Sequence, residues 1–272
     1  MITRVLSALV LIVVVGGTIG LLPAVATLVL AAVAAGAAGV ELCGLSRSGD
    51  AQPSPLLAAA SAGVTVVAVA APALWPGVSG HVLLAMTIGV TLASALFVLA
   101  TSKPGPGVLP AMAALLMASV YVGLPLGVLV IIRAETGAAA IAWLIGVVAI
   151  SDTAQYYAGT AFGRHKLAPV ISPGKTIEGA IGGLVAAPLV GAALAGFVGN
   201  GATFRSTAAA AGLALILAMF GIAGDLFESL LKRSAGAKDS STLIPGHGGV
   251  LDRIDAYLFA APVMYLFLRY VA

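Results

Sequence analysis

Two short stretches carry the carboxylates most suited to chemistry. In the first, Gly224-Asp225-Leu226-Phe227-Glu228-Ser229-Leu230-Leu231-Lys232-Arg233, helical spacing places Asp225, Ser229 and Lys232 on one stripe with Glu228 at its edge. Asp225 lies about 10 Å inward from the charged end of that helix. A carboxylate at that depth needs a counter-charge, a metal or water. Glu228 reads equally well as an i,i+4 partner of Lys232 and as a functional acid. In the second stretch, Val250-Leu251-Asp252-Arg253-Ile254-Asp255, Asp252 and Asp255 are three apart and share a helix face, where like charges repel. The helix dipole favours a first-turn acid, which accounts for one aspartate better than for two facing the same way. A hard cation accounts for both. Oxygen-only ligands supplied by one or two carboxylates and by substrate phosphates describe magnesium. Zinc does not fit, since His247 stands alone and Cys43 is remote.

Between these stretches run Lys238-Asp239-Ser240-Ser241-Thr242 and Pro245-Gly246-His247-Gly248-Gly249. Glycines around His247, leading into a helix, can present backbone N–H groups to a phosphate. Upstream, Ser151-Asp152-Thr153-Ala154-Gln155-Tyr156 precedes Ser172-Pro173-Gly174-Lys175-Thr176-Ile177-Glu178. The Gly-Lys-Thr is no P-loop, because Pro169 stands where the first glycine belongs and no parallel sheet is available. Ser172-Pro173 reads as a loop entering a helix, with Lys175 and Thr176 near its first turn and Glu178 favoured by the dipole. Lys175 can neutralise a polyphosphate, and Arg164 and Lys166 read as interfacial anchors.

The elements that must hold these residues are lipid-embedded helices. Of 272 residues, 61% are hydrophobic and 8% charged, against about 25% charged in an ordinary soluble domain; mean hydropathy is +1.13. This excludes a soluble enzyme, a disordered tail, a coiled coil and a disulfide-stapled secreted domain. A helical span needs about 20 mostly apolar residues, and nine segments qualify: 5–22, 24–45, 55–73, 81–100, 108–133, 138–158, 177–198, 207–231 and 250–271. The expected fold is therefore an all-α polytopic membrane protein of about nine transmembrane helices. It divides into an amino-terminal bundle over 1–135 and a carboxyl-terminal catalytic region over 136–272. Continuous rather than alternating apolar runs argue against a β-barrel. Turn residues such as Gln52-Pro53-Ser54-Pro55 and Trp75-Pro76-Gly77 separate the spans.

With the amino terminus inside, ten Lys/Arg (Arg4, Arg47, Lys103, Arg164, Lys166, Lys175, Lys232, Arg233, Lys238, Arg253) fall on the inner side and three (Arg133, Arg205, Arg269) outside. That asymmetry sets the orientation as amino terminus in and carboxyl terminus out. Arg4, an apolar run and Ala24-Val25-Ala26 also resemble a cleavable signal peptide. A retained first span is expected, since a second apolar run follows at once. Segments 152–178 and 225–255 hold 14 of the 23 charged residues, and both belong to the inner face. The ends of the sixth and eighth spans and the start of the ninth should meet at one polar site.

Residues 229–255 read Ser-Leu-Leu-Lys-Arg, four residues, Lys-Asp-Ser-Ser, then Leu-Ile-Pro-Gly-His-Gly-Gly-Val-Leu-Asp-Arg-Ile-Asp. This run resembles the signature of the bacterial-type phosphatidate cytidylyltransferases (CDP-diacylglycerol synthases). Asp152-Thr-Ala-Gln-Tyr156 and Ser172-Pro173-x-Lys175-Thr176-x-Glu178-Gly179 resemble the same family's secondary motif, with Thr160 and Gly174 where basic residues are more usual. The resemblance implies CTP and phosphatidate as substrates, CDP-diacylglycerol and pyrophosphate as products, and no nucleic acid. It further implies magnesium, with a monovalent cation such as potassium beside it, and a homodimer among the lipids of the bacterial inner membrane with its active site facing the cytoplasm. Asp225 and Asp252 would ligate the metal. Lys175, Ser229, Lys232 and Asp255 would serve the reacting phosphates, while Lys238, Asp239, His247, Gly248, Gly249, Arg253 and Asp152 would bind substrate. Two other readings compete: a CTP-dependent lipid kinase acting on an alcohol such as a polyprenol, and an ion-coupled transporter. The transporter should scatter its polar residues near the midplane.

Overall fold

A computed structural model describes residues 2–46, 53–198 and 203–271. Arg47 and Gln52 lie outside the described residues, as does the side chain of Arg4. Helices stand at all nine expected spans. They are α1 (Ile2–Leu21), α2 (Ala24–Leu45), α3 (Pro55–Leu74), α4 (His81–Thr101), a fifth rod made of α5 (Val108–Met117) and α6 (Leu124–Thr136), α7 (Ala138–Phe162), α8 (Ile177–Leu194), α9 (Thr207–Ser234) and α10 (Leu251–Tyr270). The chain is an all-α polytopic membrane protein. Seven of the rods are long and apolar enough to cross a bilayer. The described apolar part of α1, Val5–Leu21, is shorter, and α10 carries Asp252, Arg253, Asp255 and Arg269.

The chain forms two compact units. One comprises Met1–Glu135 with Ser234–Ile254, the other Thr136–Arg233 with Asp255–Ala272. The segment 234–254, grouped by sequence with the carboxyl-terminal half, thus packs with the amino-terminal helices.

In the first unit, close helix approach rests on small residues. A Cβ on Gly123 would lie 2.6 Å from the Ala62 carbonyl oxygen, so only glycine lets the fifth rod meet α3. That rod is not uniformly α-helical: Ala118–Gly123 forms a π-helical turn joining α5 to α6. Arg133 caps the end of α1, its Nε donating to the Ile19 carbonyl (3.1 Å) and Nη2 to that of Leu22 (3.0 Å).

In the second unit α7 and α8 pack together, and Trp143 on α7 donates from Nε1 to the Gly191 carbonyl on α8 at 3.0 Å. Between them the expected loop is instead an antiparallel hairpin, β1 (Lys166–Ala168) and β2 (Ser172–Thr176), with Lys166 opposite Thr176 and Ala168 opposite Ser172. Lys175 therefore sits on a strand rather than in a helical turn. Thr176 stops the strand and starts α8: its backbone is extended (φ −125°, ψ 155°) and its Oγ1 accepts from the Gly179 N–H at 3.1 Å. This is the N-cap geometry of a β-region residue satisfying an orphan helix donor.

Candidate active site

The second unit gathers charge from four elements. Lys175 of β2 pairs with Asp225 of α9, Nζ to Oδ2, at 2.7 Å. Ser229, one helical turn on, donates from Oγ to the other oxygen of Asp225 at 3.3 Å. One more turn along α9, Lys232 forms an ion pair with Glu228, whose side chain is fully buried. On α7, Asp152 accepts from Gln155 Nε2 at 2.9 Å and lies within coulombic reach of Lys175 and Asp225. On α10, Asp255 Oδ1 accepts from the Ala256 N–H at 2.8 Å, and its carboxylate is within coulombic reach of Asp225, Asp152 and Lys232. Asp152, Asp225 and Asp255, from the sixth, eighth and ninth spans, thus lie together in this unit with Lys175 and Ser229, whereas Asp252 belongs to the first unit. Both readings of Glu228 and Lys232 bear on the same fact, because Lys232 approaches the site already paired.

The hairpin is fastened beside this cluster. Glu178, in the first turn of α8, accepts from the Arg164 N–H (3.0 Å) and pairs with His165 Nδ1 at 2.7 Å. Arg233 of α9 donates from Nε to the Ile171 carbonyl at 3.3 Å.

In the first unit the loop 238–250 has its own architecture. Ile244-Pro245-Gly246-His247 is a tight turn, with the His247 N–H donating to the Ile244 carbonyl (2.9 Å) and Gly246 at φ +76°. Proline second and a left-handed glycine third is the type II pattern. The Ile244 N–H then donates to the Gly248 carbonyl at 2.8 Å. Asp252 ties down both ends of the loop: its Oδ2 accepts from the Ser240 N–H (2.9 Å), the Ser240 hydroxyl (2.7 Å) and the Gly249 N–H (2.7 Å). Gly248, at φ +78°, has no room for a Cβ, which would fall 2.6 Å from that same oxygen. Lys238, Asp239 and Arg253 are exposed.

Two residues that sequence reasoning passed over also hold this loop. Glu41, buried on α2, accepts from the Ser241 hydroxyl (2.7 Å) and the Val250 N–H (2.9 Å) at Oε1, and from the Leu251 N–H (2.8 Å) and the Ser240 hydroxyl (3.0 Å) at Oε2. Ser7 of α1 places Oγ 2.9 Å from the Pro245 carbonyl oxygen and 3.0 Å from His247 Nδ1. The expectation that this glycine loop offers its backbone N–H groups to a phosphate needs correction. Those of Gly249, Val250 and Leu251 are already given to Asp252 and Glu41.

Against this geometry, the sequence matches the cytidylyltransferase family over residues 2–271. The chain belongs to that family. It is 42% identical to a phosphatidate cytidylyltransferase of Staphylococcus aureus (strain COL) over 153 residues, 56% of this chain and 57% of the relative. It is 40% identical over 153 residues, with the same coverage, to a phosphatidate cytidylyltransferase of Staphylococcus haemolyticus (strain JCSC1435). It is also 40% identical over 136 residues to the uncharacterized protein YnbB of Escherichia coli (strain K12), 50% of this chain and 44% of that protein. The match thus spans 57% of the length of the two cytidylyltransferases and 44% of that of the third protein.

The residues suit the magnesium that the family resemblance implies. Asp152, Asp225 and Asp255 gather around Lys175, so the donors offered here are carboxylate oxygens, which suit a hard divalent cation. Among the described residues no three His, Cys, Asp or Glu side chains stand close enough to hold a metal alone. A cation here has to complete its shell with water and phosphate oxygens, as magnesium commonly does.

Proposed function

We propose that this chain is a CDP-diacylglycerol synthase, transferring the cytidylyl group of CTP to phosphatidate with release of pyrophosphate. The observation that carries the reading is the cytidylyltransferase match over residues 2–271, a stretch containing both the acid–lysine cluster and the folded signature loop. A phosphatidate oxygen attacks the α-phosphorus of CTP in line, and the bond from that phosphorus to the bridging oxygen of the β-phosphate breaks. The attacking group is already an anion, so no general base or covalent intermediate is required. Two polyanions must meet, and charge neutralisation with positioning supplies most of the rate.

In this reading Asp225 and Asp252 would hold magnesium, with a monovalent cation beside it, and the ion would supply positive charge to offset that developing on the phosphates. Asp225 keeps Lys175 poised through their ion pair until phosphate oxygens compete for the ammonium group. Lys175, Lys232 and Lys238 screen phosphate charge, and Ser229 hydrogen-bonds a phosphate oxygen. Asp255 and Asp152 orient the cation's water shell and the nucleotide, and Asp239, Arg253, His247 and the loop at Gly248 and Gly249 position CTP or the leaving pyrophosphate. The enzyme works as a homodimer, its site facing the cytoplasm, where lipid headgroups meet soluble CTP.

The test uses purified protein with CTP labelled in the cytosine and in the γ-phosphate, and phosphatidate in mixed micelles. Release of pyrophosphate with cytosine label entering lipid is the expected result. Release of CDP with γ-label entering lipid identifies a kinase and overturns the proposal.

A further inference from the structure

The structure assigns Glu41 the part of a positioning residue: from α2, its carboxylate fixes the signature loop and, through Ser240, the metal-ligating aspartate Asp252. The inference deepens the cytidylyltransferase reading and rests on it for the role of Asp252. Glu41 is the sole acid in α2, a helix long and apolar enough to span a bilayer. A buried carboxylate there is costly and persists only when fully hydrogen-bonded.

Its four partners come from one segment 199 to 210 residues away. Each carboxylate oxygen takes one serine hydroxyl and one backbone N–H. The two N–H groups belong to Val250 and Leu251, at the start of α10, so Glu41 sits where a helix amino terminus would otherwise attract a free anion. Capping a helix needs no residue from a distant span, since a serine or aspartate next to the helix does so locally.

What Glu41 adds is a link to Asp252. The Ser240 hydroxyl is 2.7 Å from Asp252 Oδ2 and 3.0 Å from Glu41 Oε2, with one proton to serve two carboxylates. Gly249 closes the other side: its N–H donates to Asp252 at 2.7 Å, and a Cβ on it would lie 2.5 Å from both oxygens of Glu41. Moving Glu41 therefore moves the supports of Asp252.

The test compares the full-length wild type with Glu41→Gln and Glu41→Asp. Three quantities are read: hydrogen exchange of the amides of residues 240–252, kcat per folded protein, and the magnesium concentration giving half-maximal turnover. Gln keeps the shape but turns one acceptor oxygen into a donor facing donors. We expect loop amides to exchange at least tenfold faster in Glu41→Gln while α3 keeps its protection. We also expect kcat to fall at least tenfold, the magnesium midpoint to rise, and Glu41→Asp to restore part of all three. A structural cap would lower the folded fraction and leave both kcat per folded protein and the magnesium midpoint unchanged; that result overturns the inference, as does unchanged loop exchange. If the wild type makes no CDP-diacylglycerol, the functional reading fails instead, and loop exchange alone then decides whether Glu41 fixes the loop.

Discussion

Replacing Gly249 by alanine should disable the enzyme by a mechanism whose size follows from three distances. The added Cβ would lie 2.5 Å from each oxygen of Glu41 and closer still to the Ser240 hydroxyl, where ordinary contact begins at 3.4 Å. Both neighbours are held from several sides, so neither can swing away cheaply. The Glu41 bonds measure 2.7–3.0 Å. A retreat of about 0.9 Å, the shortfall from 3.4 Å, takes them past the distance at which a hydrogen bond survives. Overpacking of this kind costs about 1–3 kcal/mol, and each bond lost to a charged group about 1.5–3 kcal/mol. A loop that relaxes enough to lose only one of these bonds and half of the overpacking cost still gives up at least roughly 2 kcal/mol, about thirtyfold in the population of the working conformation. Pyrophosphate release by Gly249→Ala should therefore fall about thirtyfold or more, with a lowered thermal midpoint in detergent. Wild-type turnover together with a wild-type melting curve would refute the packing argument.

Asp225→Asn and Asp252→Asn should each abolish magnesium-dependent turnover while leaving a folded membrane protein by size-exclusion chromatography; near-normal activity in either variant sinks that metal assignment. Lys175→Met breaks the pair with Asp225. Because the Asp225 side chain is 36% exposed, the stability loss should stay near 1 kcal/mol or below, whereas kcat/KM for CTP should drop at least a hundredfold in steady-state assays. Thr176→Ala removes the α8 N-cap, and thermal unfolding should show a loss of about 1 kcal/mol.

The nine helical rods were legible because a run of about 20 apolar residues has few alternatives in lipid. The stripe joining Asp225 to Ser229 was legible for the same kind of reason, being local and periodic, and it appears as a hydrogen bond at i,i+4. What escaped has no local period. The hairpin 166–176 consists of strands of three and five residues, too short and too polar for alternation to declare them, and Pro173 and Gly174 point towards a plain loop. Glu41 and Ser7 looked like isolated polar residues in apolar helices, because their partners lie about 200 or more residues downstream. A lone acid in an apolar span was the available signal for Glu41, since a buried carboxylate there must be paired somewhere.

The glycine loop shows how a correct motif can carry the wrong local chemistry. Glycines ahead of a helix ordinarily leave backbone donors open to a phosphate. Here Gly248 and Gly249 are small for another reason: each lies against a carboxylate of the protein itself, Asp252 for the first and Glu41 for the second. The donors at this helix start are consumed by those acids, and a phosphate brought to the same N–H groups would face two negative charges at close range. On the proposed function, phosphate contacts in this loop are therefore expected from side chains such as Lys238, His247 and Arg253 rather than from these three N–H groups.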